Sequence, residues 1–184
     1  MATAATKGSE RTLPLFYKKP EVLRADKHKN ISLVPEVKYE FARSANSLPI
    51  NAAEMPRAVR HYPIVFTDTP SPFPVAVMGL RQGSNLFIEK DGSWAKGIYA
   101  PAYVRRYPFV FANDESAKQM VLCVDRAAEF IVEGGDMAFF DEKGEPTEYT
   151  KNCIEFCNNF EIERQRTTSF VQILKDLDLF ETKT

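Results

Sequence analysis

The chain has 184 residues, 44% of them hydrophobic and 27% charged, with 24 Lys and Arg against 25 Asp and Glu. That length is enough to bury the core of one domain, and the composition excludes a long disordered or collagen-like chain. A formal charge of −1 and a pI near 6.2 leave no whole-protein footprint for nucleic acid or an anionic membrane.

The balance is uneven along the chain: residues 1–60 carry 11 basic and 6 acidic side chains, residues 61–184 carry 13 and 19. So mild an asymmetry reads as solvated surface. Met1 to Leu13 is small and polar with no apolar h-region, so it does not read as a secretory signal, and residues 1–12 are expected to be flexible. Apolar stretches such as Phe73 to Leu80 fall far short of the roughly 20 residues that cross a bilayer as a helix, so no transmembrane segment is expected. Cys123, Cys153 and Cys157 are odd in number and follow no CxxC or zinc spacing, which agrees with a reducing, cytoplasmic setting. Cys153 and Cys157 would share a helix face. A metal or redox pair is conceivable there, but small apolar residues on a buried stripe are the commoner explanation.

In chain order, Leu13–Tyr17 and Ile31–Val34 are short apolar runs punctuated by Pro14, Pro20 and Pro35, and both read as short strands or extended segments. Tyr39 and Phe41 alternate with Glu40 and Ala42, which suits one more half-buried strand.

The most informative feature is an internal echo. Pro56-Arg57-Ala58-Val59-Arg60-His61-Tyr62-Pro63-Ile64-Val65-Phe66 returns 45 residues later as Pro101-Ala102-Tyr103-Val104-Arg105-Arg106-Tyr107-Pro108-Phe109-Val110-Phe111, with seven of eleven positions identical. It reads as a duplication. Each proline suits the first position of a short helix. Each Tyr-Pro pair then ends that helix by forcing the tyrosine toward extended geometry. Asn51 with Glu54 looks like an earlier capping box, but a helix begun there would carry Pro56 in its interior, so the start is placed at Pro56.

Ile64–Phe66 and Phe109–Phe111 then predict strands, and Val75–Leu80 and Met120–Val124 predict their partners at the same offset. Leu86–Ile88 and Met137–Phe140 suggest a third strand in each unit, each followed by a turn, Asp91-Gly92 or Lys143-Gly144. The offset there has grown by about seven residues, consistent with an insertion such as Glu133-Gly134-Gly135. Residues 52–96 and 97–145 are thus approximate copies.

From Pro146 to Leu179 there is neither Gly nor another Pro. Tyr149, Cys153, Phe156, Cys157, Phe160, Phe170, Ile173, Leu174 and Leu177 fall on one helical stripe. One long helix, or two broken near Thr167, would cap the sheet of the same domain. The chain is therefore expected to be a single α+β domain over residues 1–184. It would combine mainly antiparallel sheet, an internal helix-strand-strand duplication and a C-terminal helix or helix pair over 146–180.

The run Leu13-Pro14-Leu15-Phe16-Tyr17-Lys18-Lys19-Pro20, then His61-Tyr62-Pro63-Ile64-Val65-Phe66, Asn85-Leu86-Phe87 and Tyr103-Val104-Arg105-Arg106-Tyr107-Pro108-Phe109 resemble the SapC family. The likeness runs in order from about Leu13 to Phe180 and includes Asp141–Pro146 and the closing helix. It implies a bacterial protein named for an association with a surface layer, and it implies no reaction. Similar proteins usually continue into a further C-terminal segment beyond the position of Thr184.

Candidate chemistry is sparse. His28 and His61 are the histidines available to a catalytic triad, and no nucleophile motif surrounds a Ser or Cys. His61 stands where the second copy has Arg106, which suggests an exposed basic site. No HxxxH or EF-hand spacing points to a metal. Neither GxGxxG nor GxxxxGK[ST] points to a nucleotide, so no cofactor is expected.

What remains is the aromatic and basic cluster of Arg60, His61, Tyr62, Trp94, Arg105, Arg106 and Tyr107, with Tyr99 and Tyr103 beside it. Such rings stack on ligands, and Arg forks grip carboxylate or phosphate; equally, the rings can pack in the core under Arg stems. If the copies are related by a pseudo-two-fold axis, Arg60 and Arg105 would flank one cleft and share an anion.

Two functions fit this reading. One is a non-catalytic binding or accessory protein with a protein partner. The other is an enzyme, or an enzyme's partner subunit, with an Arg/Tyr/carboxylate site for a small anionic ligand. A homo-oligomer is compatible with either.

Overall fold

Short strands separated by local turns pair antiparallel, and in the computed structural model, which describes residues 13–114 and 119–182, every strand pairing does so. In chain order the elements are β1 (Pro20–Val22), α1 (Ala25–His28), β2 (Ile31–Leu33), β3 (Ser47–Pro49), α2 (Met55–Ala58), β4 (Ile64–Phe66), β5 (Pro74–Val77), α3 (Ala102–Arg105), β6 (Phe109–Asp114), β7 (Gln119–Asp125), β8 (Ile131–Glu133), β9 (Met137–Ala138) and α4 (Glu148–Asp176). The strands form three three-stranded sheets, ordered β1-β7-β6, β8-β2-β9 and β3-β5-β4. The expected α+β class with a C-terminal helix holds. The expected flexibility of residues 1–12 lies outside the described residues.

The two echoing stretches each run from a four-residue helix into an antiparallel hairpin, α2-β4-β5 and α3-β6-β7. In both sheets the second hairpin strand is central, and an earlier strand pairs on its other edge. The match stops at the register. Ile64 pairs with Ala76 and Phe109 with Val124, so 45 residues separate the first partners and 48 the second. The Tyr107–Pro108 bond is cis.

Several local expectations give way to tertiary context. Leu13–Tyr17 forms a turn closed by Tyr17 N–H on Pro14 O at 3.1 Å, and the strand begins at Pro20 instead. Glu40–Ala42 is a 3₁₀ turn, because alternation over four residues cannot by itself tell a strand from one helical turn. The Asn51/Glu54 capping box, set aside because of Pro56, is present. It caps a 3₁₀ turn at Ala52–Glu54 that leads into α2, so Pro56 falls in the first turn of the α-helix, where its missing N–H costs nothing. Leu86–Ile88 makes one isolated bridge, Ile88 to Trp94, where a strand was expected. Gly79 lets the chain fold back after β5: a Cβ there would lie 2.2 Å from Ser84 O.

Two apolar cores result. One, holding Phe109, Val124 and Phe139, draws its side chains from both the β1-β7-β6 and β8-β2-β9 sheets. The other, holding Leu48, Tyr62 and Met78, lies behind the β3-β5-β4 sheet. Phe160 of α4 belongs to both, and half-buried Phe16 and Phe41 pack against both. α4 is one unbroken helix of 29 residues, capped by Thr147 and continuous through Thr167. Its buried face runs through Cys157, Phe160, Thr167 and Val171, whereas Phe170, Ile173 and Leu177 of the expected stripe are exposed.

Candidate functional site: an aromatic-walled cleft

The seam between the two cores opens into a cavity of about 680 Å³. That size is ordinary for a small-molecule or side-chain pocket. Four rings line it: Phe16, Phe41, Tyr107 and Phe130. Phe41 and Tyr107 lie 4.3 Å apart between centroids, Phe16 and Phe41 5.2 Å, and Tyr107 and Phe130 5.6 Å, so the wall is continuous. Phe16 is held at φ 81°, a left-handed conformation uncommon for a bulky residue and sustained by this packing.

Charges ring the mouth. Lys38 is tied to Glu36, and Glu40 to Arg43, so both carboxylates are internally balanced. The Arg43 guanidinium holds the Glu40 carboxyl below its usual range. Lys18 and Glu129 also line the cleft, both exposed, and neither side chain has an ion-pair partner among the described residues.

Asp125, fully buried at the end of β7, fixes the position of both edges. Its Oδ2 accepts Lys18 N–H at 2.8 Å and the Tyr107 phenol at 3.1 Å. Its Oδ1 accepts Lys19 N–H at 2.8 Å and Ala127 N–H at 3.0 Å. One carboxylate thus anchors the segment carrying Phe16 and Lys18 and the loop carrying Glu129 and Phe130. Burial, with the nearby Asp125 and Glu129 carboxylates, pushes the Tyr107 phenol well above its ordinary pKa, so it stays a donor.

The cluster expected from sequence divides. Tyr62, Trp94 and Arg105 meet in a network around Tyr99 and Glu54. Trp94 Nε1 donates to Tyr62 Oη at 3.2 Å, and the Tyr62 hydroxyl donates to Tyr99 O. Arg105 Nη2 reaches Tyr99 Oη at 3.2 Å, and Tyr99 Oη donates to Glu54 Oε1 at 2.8 Å. Ala102 N–H, at the start of α3, donates to the same oxygen at 2.7 Å. Burial pushes Tyr62 up to about 12.

Tyr107 lines the cleft, and with Arg105 and Arg106 it also lines a separate cavity of about 280 Å³. Arg106, the counterpart of His61, is 6% exposed and stacked between Tyr103 and Phe160. His61 is half-buried, its ring 6.0 Å from that of Tyr62. Arg60 is exposed and lines none of these cavities, whereas Arg105 lines the one of about 280 Å³. Cys153 and Cys157 both line that cavity of about 280 Å³, and burial raises their thiols to about 11 and about 12, which suits packing more than reactivity. No cluster of three metal-ligating side chains occurs among the described residues, and no helix of theirs is long and apolar enough to cross a membrane.

Phe16, Phe41, Phe130, Lys18, Glu129 and Asp125 did not stand out in the sequence as a site. The available signal was Asp125 at a strand end followed by Arg-Ala-Ala, an Asx-type turn in which the side chain accepts the N–H two residues on.

Among curated proteins and among solved structures, none matches the chain. The SapC family profile matches residues 23–184, nearly its whole length. The match takes in most of the elements that build the cleft, from the Phe41 turn to the loop of Phe130, and the chain belongs to the SapC family.

Proposed function

We propose that the chain is a non-catalytic binding or accessory protein whose cleft receives one aromatic or branched apolar side chain from a segment of a protein partner. The observation that carries this reading is the continuous wall of Phe16, Phe41, Tyr107 and Phe130 beneath a rim bearing two opposite charges, Lys18 and Glu129, that form no ion pair among the described residues. Apolar side chains of a partner gain by leaving water for such a wall. An acidic group beside the anchor answers Lys18 and a basic one answers Glu129, which sets the direction of the segment. The surface-layer association implied by the family name directs the search for that partner to the bacterial envelope.

The same reading takes residues 52–96 and 97–145 as copies of one unit. Seven shared residues, the helix-hairpin order and the matching sheet order support it.

A displayed random-peptide library tests the function. Enriched peptides should carry an aromatic residue flanked by one acidic and one basic residue, and should lose binding to Ser44→Trp, which fills the cleft from an exposed position, and to Glu129→Lys. Enriched peptides that bind Ser44→Trp as well as the parent protein would remove the cleft from the function.

A further inference from the structure

A second cavity, about 470 Å³, has mainly apolar walls: Phe73, Val110, Phe111 and Met120 among them. Arg106 lines it. The guanidinium carbon of Arg106 sits 4.5 Å from the Tyr103 ring centre and 4.2 Å from that of Phe160. Its Nη1 lies 3.6 Å from Glu161 Oε1. Tyr103, Phe160 and Glu161 all line this same cavity, so the charged end of Arg106 lies at its wall.

That end is under-satisfied. Arg106 is 6% exposed, and its Nε has no hydrogen-bond partner. A separation of 3.6 Å from Glu161 gives attraction without a hydrogen bond. The other oxygen of Glu161 is committed to Arg164 Nε at 2.6 Å. A buried guanidinium with an unmade donor is costly unless something completes it. The planar fork of Arg is matched geometrically by a carboxylate. Arg164 at the rim adds a second cation, so Arg106, Arg164 and Glu161 together leave one positive charge uncompensated.

We propose that this cavity is a binding site for a monocarboxylate with an apolar body, its carboxylate on Arg106 and its hydrocarbon against Val110, Phe111 and Met120. The site is separate from the aromatic-walled cleft, and neither reading depends on the other.

The test measures binding of octanoate to the full chain by calorimetry, with 1-octanol as the uncharged control of equal length. Octanoate should bind at least tenfold more tightly than octanol. Met120→Trp, which fills the cavity from a half-exposed strand position, should weaken octanoate at least tenfold. Glu161→Gln removes the internal competitor for Arg106 and should tighten octanoate severalfold, an effect that a purely structural Arg106 would not produce. Equal binding of octanol and octanoate, unchanged binding to Met120→Trp, or no octanoate binding to either the parent protein or Glu161→Gln would each overturn the proposal.

Discussion

The Tyr107 phenol donates to the Asp125 carboxylate at 3.1 Å, and this contact joins one wall of the cleft to the group that anchors both of its edges. Asp125 also accepts three backbone N–H groups, from Lys18, Lys19 and Ala127. Replacing it with Ala leaves these donors without their acceptor and loosens two segments at once. Asp125→Ala should destabilise by about 3–5 kcal/mol, read from the urea midpoint. Tyr107→Phe leaves the three backbone bonds intact and should cost about 1–2 kcal/mol. Equal losses in the two variants would mean that the phenol, and not the backbone anchor, sets the geometry.

A parallel arrangement holds the second core. Glu54 accepts Asn51 N–H at 2.9 Å through Oε2, and Tyr99 Oη and Ala102 N–H through Oε1. An amide in place of the carboxylate turns one acceptor into a donor facing a donor. Glu54→Gln should therefore cost about 2 kcal/mol or more, whereas Tyr99→Phe, which removes one donor to Glu54 and the acceptor of an exposed Arg105 bond, should cost about 1 kcal/mol. Thermal unfolding of both variants checks the ranking.

The fold class, both helix-hairpin units and the single C-terminal helical region were legible because they rest on local signals: proline at helix starts, Tyr-Pro at helix ends and apolar periodicity. The cleft was not legible, because Asp125 brings the segment of Phe16 to Tyr107 and the Phe130 loop across more than a hundred residues of chain, and Phe41 joins them through ring packing alone. Local pattern carries no information about such closure. The direction of α4 past Phe160 was misread for a related reason. Hydrophobic identity favoured Phe170, yet the helix turns Thr167 inward, where its Oγ1 accepts Ala52 N–H at 2.8 Å and donates to Glu163 O at 2.7 Å.

That orientation of α4 has a direct consequence. Thr167→Val keeps the shape but strands the Ala52 N–H and should cost about 1–2 kcal/mol. Phe170→Ala removes a ring that is 39% exposed and should cost less than about 1 kcal/mol. Chemical denaturation of the two variants decides between them, and a larger loss for Phe170→Ala would restore the apolar stripe as the buried face.

Alkaline pH should unfold the protein through its buried acids. Burial raises the phenols of Tyr17, Tyr62, Tyr107 and Tyr149 above their ordinary value of 10, with Tyr62 at about 12. It also raises the thiols of Cys153 and Cys157 from about 9 to about 11 and about 12. In each case the folded state holds its proton more tightly than the unfolded chain, so the stability these groups contribute is fully present below the unfolded value and is lost as pH rises through the folded one. The urea midpoint should hold steady to about pH 8 and then fall between about pH 9 and pH 12, with the thiols acting first. Cys157→Ala should flatten the early part of that fall and leave the later, phenolic part unchanged. A midpoint independent of pH up to 11 would place these rings and thiols in contact with water, against the packing of both cores.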